Sequence, residues 1–92
     1  MQQTRLHIII QGKVQGVFFR NTAKKIAEEM GMTGWVRNLP DGRLEAVLEG
    51  EKEKLKKMAE WTKKGPVLAR VEKIEMIWED YKGEFKDFKI KR

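Results

Sequence analysis

The stretch TGWVRNLPDGRLEAVLEG, residues 33–50, contains two short runs that meet at NLPDG. In the second run Leu44, Ala46 and Leu48 alternate with Arg43, Glu45 and Glu49, the period of two that gives a strand one apolar face. The first run, TGWVRN, reads as its partner strand. Between them a proline and an Asp-Gly pair supply turn chemistry, because proline presets φ and the pair tolerates the backbone angles a tight reversal needs. The stretch therefore predicts an antiparallel hairpin, and the fold depends on what flanks it.

Both flanks read as helices. On the C-terminal side, residues 51–64 place Leu55, Met58, Ala59 and Thr62 on one stripe with lysines opposite, and Gly65-Pro66 stops the helix. On the N-terminal side a helix is predicted from about Thr22, with Ala23, Ile26, Ala27 and Met30 at helical spacing. Asn21 or Thr22 can cap its start and Gly31 its end. Further out, RLHIIIQ puts Leu6, Ile8 and Ile10 on one face of a first strand. ARVEKIEMIWEDY, residues 69–81, is a long fourth strand in which Val71 is out of phase with Ile74, Met76 and Trp78, the sign of a bulge or register change. FKDFKIKR, residues 85–92, alternates Phe88 and Ile90 with lysines and reads as a closing strand. The order is βαββαβ plus a tail, the split βαβ pattern of a ferredoxin-like α/β sandwich. The expected fold class is α+β: an antiparallel sheet of four or five strands with two helices on one face. Residues 1–92 read as one domain, with no internal repeat, linker or low-complexity segment.

Composition narrows the function classes. A 92-residue chain that is 40% hydrophobic can bury one core, and a 37% charged fraction of mixed sign describes a solvated surface. The run Ile8 to Ile10 is far short of the roughly 20 apolar residues of a membrane span, and the N-terminus turns polar too early for a secretory signal. The cytoplasm is the expected location, and the small size and mixed charge point to a monomer. With no cysteine, disulfides, thiolate nucleophiles and cysteine–zinc sites are excluded. The lone histidine, His7, gives little support to a Ser-His-Asp triad and rules out a histidine-rich metal site. It reads as a surface or packing residue on the strand face opposite Leu6 and Ile8. The net charge of +6 suits a nucleic-acid partner or a small anionic substrate. Much of the lysine, however, alternates with acidic or apolar residues, as on a solvated helix face or strand edge. Abundant Lys and Glu, two asparagines and no cysteine are also a composition common in proteins of hot environments.

One segment remains, GKVQGVFFRN, residues 12–21, between the first strand and the first helix. Backbone N–H groups and the positive end of a helix dipole converge on an anion at such a junction. Gly12 and Gly16 permit angles that let the amides of Gln15, Gly16, Val17, Phe18, Phe19 and Arg20 curl into a concave nest. Arg20 stands at its rim, with a planar guanidinium that can grip two phosphate oxygens. The plainer reading is a strand-to-helix turn with an exposed arginine. A nucleotide P-loop would need Gly-Lys-Ser or Gly-Lys-Thr here, and Val14-Gln15 offer no magnesium ligand. Asn38 likewise has a plain reading, as the asparagine that opens a turn.

IQGKVQGVFFR, residues 10–20, resembles the first signature of the acylphosphatase family, and GWVRNLPDGRLEAVLEG, residues 34–50, resembles its second. The two follow in the family's order and spacing, and the FKIKR ending resembles its last strand. The one departure is Leu44, where the family usually has valine. The resemblance implies that Arg20 is the phosphate-binding arginine and that Asn38 positions the attacking water. It implies a metal-independent hydrolase without cofactor, acting on a small-molecule acyl phosphate and releasing inorganic phosphate. Thr22 is left as a helix cap or as support for the loop, and Asp41 and Gly42 as turn formers.

Two other readings stand beside it. The same element order builds RNA-binding modules, but those need aromatics on the first and third strands, and LHIII and RLEAVLE have none; neither a nucleic-acid nor a membrane partner is expected. A regulatory domain binding a small carboxylate or carbamoyl phosphate without turnover is the second.

Overall fold

The computed structural model describes residues 2–91; Met1, and Arg92 at the end of the expected closing strand, lie outside the described residues. The elements are β1 (Gln3–Lys13), α1 (Phe19–Glu29), β2 (Thr33–Asn38), β3 (Leu44–Glu51), α2 (Lys52–Lys64), β4 (Arg70–Glu79) and β5 (Phe88–Lys91). They form one five-stranded sheet in the order β4-β1-β3-β2-β5. The hairpin is antiparallel as expected, with Trp35 opposite Val47 and Asn38 opposite Leu44.

Alternation sorts the side chains. Leu6, Ile8 and Ile10 of β1 pair across to Leu48, Ala46 and Leu44 of β3, and all six are buried under the helices. α2 contributes Leu55, Met58, Ala59 and Thr62, the stripe read from the sequence, and α1 contributes Phe19, Ala23 and Ala27. Gly34 of β2 takes φ 137°, and a Cβ there would meet the Val47 carbonyl oxygen at 1.9 Å, so only glycine lets the central strands come this close. The irregularity expected near Val71 is present: Gln11 faces Lys73 and Gly12 faces Val71, which leaves Glu72 as the extra residue.

Two expectations are corrected. The sheet is mixed rather than antiparallel, because β5 runs parallel to β2. The cause is the crossing between β4 and β5, which sit on opposite edges of the sheet. β4 ends where β1 starts, β3 ends and β2 starts, so the crossing begins at that end. Four strand spacings, about 19 Å, use up most of what residues 80–87 can span at about 3.3–3.6 Å each. β5 therefore starts to pair where the chain lands, beside the start of β2, with the Asp87 carbonyl accepting from Gly34 N–H at 2.9 Å.

The second correction is the start of α1, which lies at Phe19 rather than Thr22. Neither Asn21 nor Thr22 caps it. Phe18 occupies the cap position with φ 65° and no side-chain cap bond, while the Thr22 hydroxyl donates back to the Phe18 carbonyl at 2.8 Å. At the other end Gly31 takes positive φ just beyond the helix, as read.

The helix-free face carries a polar clasp. The Glu49 side chain is buried there, accepting from Arg5 Nη1 at 3.4 Å and from Lys82 N–H at 2.8 Å. Arg5 also pairs with Glu79 at 3.1 Å and with Glu84, and its guanidinium lies 5.1 Å from the Phe85 ring centre. Burial works against the Arg5 charge, but Glu84 and Glu49 outweigh it and raise its pKa. These contacts hold the crossing chain against β1 and β3.

Candidate active site

The chain needs only Val14 to Phe18 to pass from β1 into α1. Val14, Val17 and Phe19 are buried and pin this turn to the core, Phe19 meeting the Trp61 ring edge-on at 5.2 Å. The residues between them are thereby turned outward. Gly16 and Phe18 take positive φ, 72° and 65°, whereas Val17 does not, and such alternation curls successive N–H groups toward one side. Phe18 is the sole non-glycine residue with positive φ among the described residues. That conformation costs a residue with a side chain about 1–2 kcal/mol. The Phe18 carbonyl holds it in place, accepting from both the Thr22 N–H and its hydroxyl.

Among the described residues, no acceptor takes the backbone N–H of Gln15, Gly16, Val17 or Phe18. The first turn of α1 has neither a capping side chain nor an acidic residue, so the positive end of its dipole is left open. Arg20 is half-buried, and its side chain makes no ion pair or hydrogen bond among the described residues. Val14, Gly16, Phe18, Phe19, Arg20 and Asn21 line a depression of about 240 Å³ here. Chemically this is a cation and a set of backbone donors around a small concavity, with no acid to occupy them.

Asn38 ends β2, two residues beyond the buried Val36 and so on the helix-covered face. Its Oδ1 is buried and has no hydrogen-bond partner among the described residues. The next residues reverse the chain: Leu39 N–H donates to the Arg43 carbonyl at 2.8 Å and Gly42 N–H to the Leu39 carbonyl at 3.1 Å. The Asp41 carboxylate accepts from the Arg43 N–H and guanidinium, and the Arg43 N–H leads in holding its pKa below the usual carboxylate range. Asp41 and Gly42 thus form the turn.

Loop and turn are joined by one side chain. Gln15 Nε2 donates to the Leu39 carbonyl at 2.8 Å and to the Arg43 carbonyl at 2.9 Å. Of the residues singled out in the sequence, Gly16, Phe18, Phe19 and Arg20 wall the depression, and Val17 is buried behind it. Gln15 contributes its backbone to the loop and its side chain to the turn. Asn38 is outside the wall, next in the chain to Leu39, whose carbonyl the brace holds, and Thr22 donates to the Phe18 carbonyl. Val14 and Asn21 line the depression although they were not singled out for it. Asn21 was readable as polar and next to Arg20, but its place depended on where the helix starts. The Gln15 brace has no local signal, since its acceptors lie 24 and 28 positions away.

His7 is elsewhere. On the helix-free face its Nε2 lies 2.7 Å from Glu45 Oε2, and Glu45 also accepts from Arg37 Nε at 2.8 Å. Burial raises the Glu45 pKa, but His7 and Arg37 together outweigh it, and the carboxyl is held below its ordinary value. Among the described residues no three His, Cys, Asp or Glu side chains are grouped so as to hold a metal ion.

Residues 6–90 match the family model described as acylphosphatase. A relative named acylphosphatase from Pyrobaculum islandicum is 57% identical over 91 residues, covering 98% of this chain and 96% of its own. Among solved structures, an acylphosphatase from Coxiella burnetii has a TM-score of 0.90 at 39% identity, covering 97% of this chain and 93% of that one. The acylphosphatase of Bacillus subtilis has a TM-score of 0.92 at 31% identity, covering 97% and 99%.

Proposed function

The chain belongs to the acylphosphatase family, and from that premise we propose how its site hydrolyses the carboxyl–phosphate anhydride bond of an acyl phosphate. The carrying observation is the outward-curled loop of backbone donors beside the Arg20 side chain, all without partners among the described residues. The substrate phosphoryl group sits in that nest, with Arg20 gripping two of its oxygens. Phosphoryl transfer passes through a loose transition state whose charge lies on the equatorial oxygens, so positioning and electrostatics supply most of the catalysis. Donors fixed before the reaction need no reorganisation as that charge grows.

Asn38 positions the water. Its side-chain amide hydrogen-bonds one water and leaves an oxygen lone pair directed at phosphorus. Water oxygen bonds to phosphorus as the bond to the acyl oxygen breaks, and the electron pair leaves on a carboxylate. One water proton passes to a phosphoryl oxygen, so the acyl phosphate dianion and water become a carboxylate and dihydrogen phosphate. A carboxylate leaves without a general acid, and the phosphoryl group takes the proton without a separate base. Gln15 sets the distance between nest and water by bracing loop to turn.

The reading extends to a monomer in the cytoplasm with no nucleic-acid partner. On β1 and β3 the face away from the helices carries Arg5, His7, Ile9, Glu45 and Val47, with Glu49 buried under the crossing chain, and none of these is an aromatic on which a base could stack. No helix among the described residues is long and apolar enough to cross a membrane.

Hydrolysis of benzoyl phosphate, followed by ultraviolet absorbance with a chelator present, tests the mechanism. Arg20→Gln should lose about 10²–10³-fold in kcat/KM and weaken competitive inhibition by inorganic phosphate. Asn38→Ala should lower kcat while leaving phosphate inhibition near wild type, because it touches the water and not the phosphate. Wild-type turnover in either variant removes that residue from its role.

A further inference from the structure

Phe18 is conspicuous for what the fold does not require of it. It is a large apolar side chain left 67% exposed, and it is held at positive φ where glycine would sit without strain. Its neighbours Val17 and Phe19 supply the core contacts of this segment, so its ring contributes little to the interior. Yet it walls the same depression as Gly16 and Arg20, and Thr22 fixes its carbonyl from two donors.

The direction of the reaction shows what such a ring meets. Water and leaving group lie on opposite sides of phosphorus in an in-line displacement. The water side belongs to Asn38, whose turn is tied to the Gln15 end of the loop. The acyl group must leave from the other side, and the other end of the loop is Phe18. We infer that the exposed Phe18 ring is the acyl-group contact of the site and gives it a preference for acyl phosphates with an aromatic or extended apolar acyl group over acetyl phosphate. This rests on the hydrolase reading above and adds to it the substrate class. The phosphate, common to all substrates, is held by backbone and Arg20, so discrimination falls to the exposed apolar ring at the rim.

The test is a ratio of specificities. Benzoyl phosphate and acetyl phosphate are assayed on the wild type, Phe18→Ala and Phe18→Leu, with folding checked by circular dichroism. Disturbance of the loop lowers both substrates together and cancels in the ratio. Loss of the ring should lower the benzoyl-to-acetyl ratio of kcat/KM about three- to tenfold in Phe18→Ala, the range of an aromatic contact, and by less in Phe18→Leu. Inhibition by benzylphosphonate should weaken more than inhibition by methylphosphonate, which reads the same contact without turnover. If both ratios stay at wild type in either folded variant, the ring has no part in acyl recognition and the inference is overturned. Absence of hydrolysis of both substrates by the wild type would instead overturn the hydrolase reading, and this inference with it.

Discussion

The Gln15 brace offers the sharpest separation of stability from catalysis. Replacing Gln15 with alanine removes two hydrogen bonds, from Nε2 to the Leu39 and Arg43 carbonyls. Neither carbonyl is orphaned, because Gly42 N–H still serves the first and Leu39 N–H the second. The cost is therefore that of two ordinary bonds, about 1–3 kcal/mol in all, without the extra penalty of a stranded buried acceptor. For a domain of this size each kcal/mol lowers Tm by about 4–8 °C, so Gln15→Ala should remain folded at room temperature. Catalysis should fall further, because loop and turn lose their common register, and a misplacement of about 1 Å can cost 10²-fold in rate. The expected result is a 10- to 100-fold loss of kcat on benzoyl phosphate with a modest change in phosphate inhibition, since the nest itself is intact. Gln15→Glu should be worse, because a carboxylate would face two carbonyl oxygens that it cannot donate to. Urea unfolding measures the first quantity and initial rates the second. Wild-type kcat in Gln15→Ala, or a glutamate variant as active as wild type, would refute the coupling of the two halves of the site.

Two further outcomes follow from the helix-free face. Arg5→Ala strands the fully buried Glu49 carboxylate with only the Lys82 N–H on it. Breaking such a pair costs about 3–5 kcal/mol, whereas pairing Arg5→Met with Glu49→Leu should recover most of it; a loss under about 1 kcal/mol in urea unfolding of the single variant would contradict the clasp. Glu45 carries an acid dependence. Its folded pKa is depressed, so the stability it contributes is present above the ordinary carboxylate pKa of about 4.3 and is lost as pH falls through the depressed value. Unfolding midpoints between pH 7 and 3 should therefore fall less steeply in Glu45→Gln than in wild type, and identical acid slopes would exclude the contribution.

The sequence was readable where neighbours in the chain decide the structure. The Leu44–Ala46–Leu48 alternation, the NLPDG turn and the Leu55–Met58–Ala59–Thr62 stripe each state a period within one element, and each is found as read. The start of α1 was misread because Asn21 and Thr22 look like caps. That helix begins without a side-chain cap, which leaves its first amides free for an anion. Glu49 alternates onto a face that should be solvated, and it is buried because a segment more than 30 positions later lies over it. Leu44, the departure from the family pattern, is buried in the core, with Ile10 opposite it.

Side-chain period, turn chemistry and the glycine placements are local free-energy preferences, so the sequence by itself determined the order of elements, the hairpin, the two helix stripes and Arg20 at a strand-to-helix junction, whereas Asn38 stood out only through the resemblance to the acylphosphatase family. Only the tertiary structure decided that β5 lies parallel to β2, that Gln15 reaches across to the turn, and that Phe18 stands in the wall of the depression. Each of these depends on where distant segments land once the core is packed. The Val14–Phe18 loop is a local motif, but its tie to the turn that follows Asn38 is a contact between residues far apart in the chain, and no local preference contains that contact.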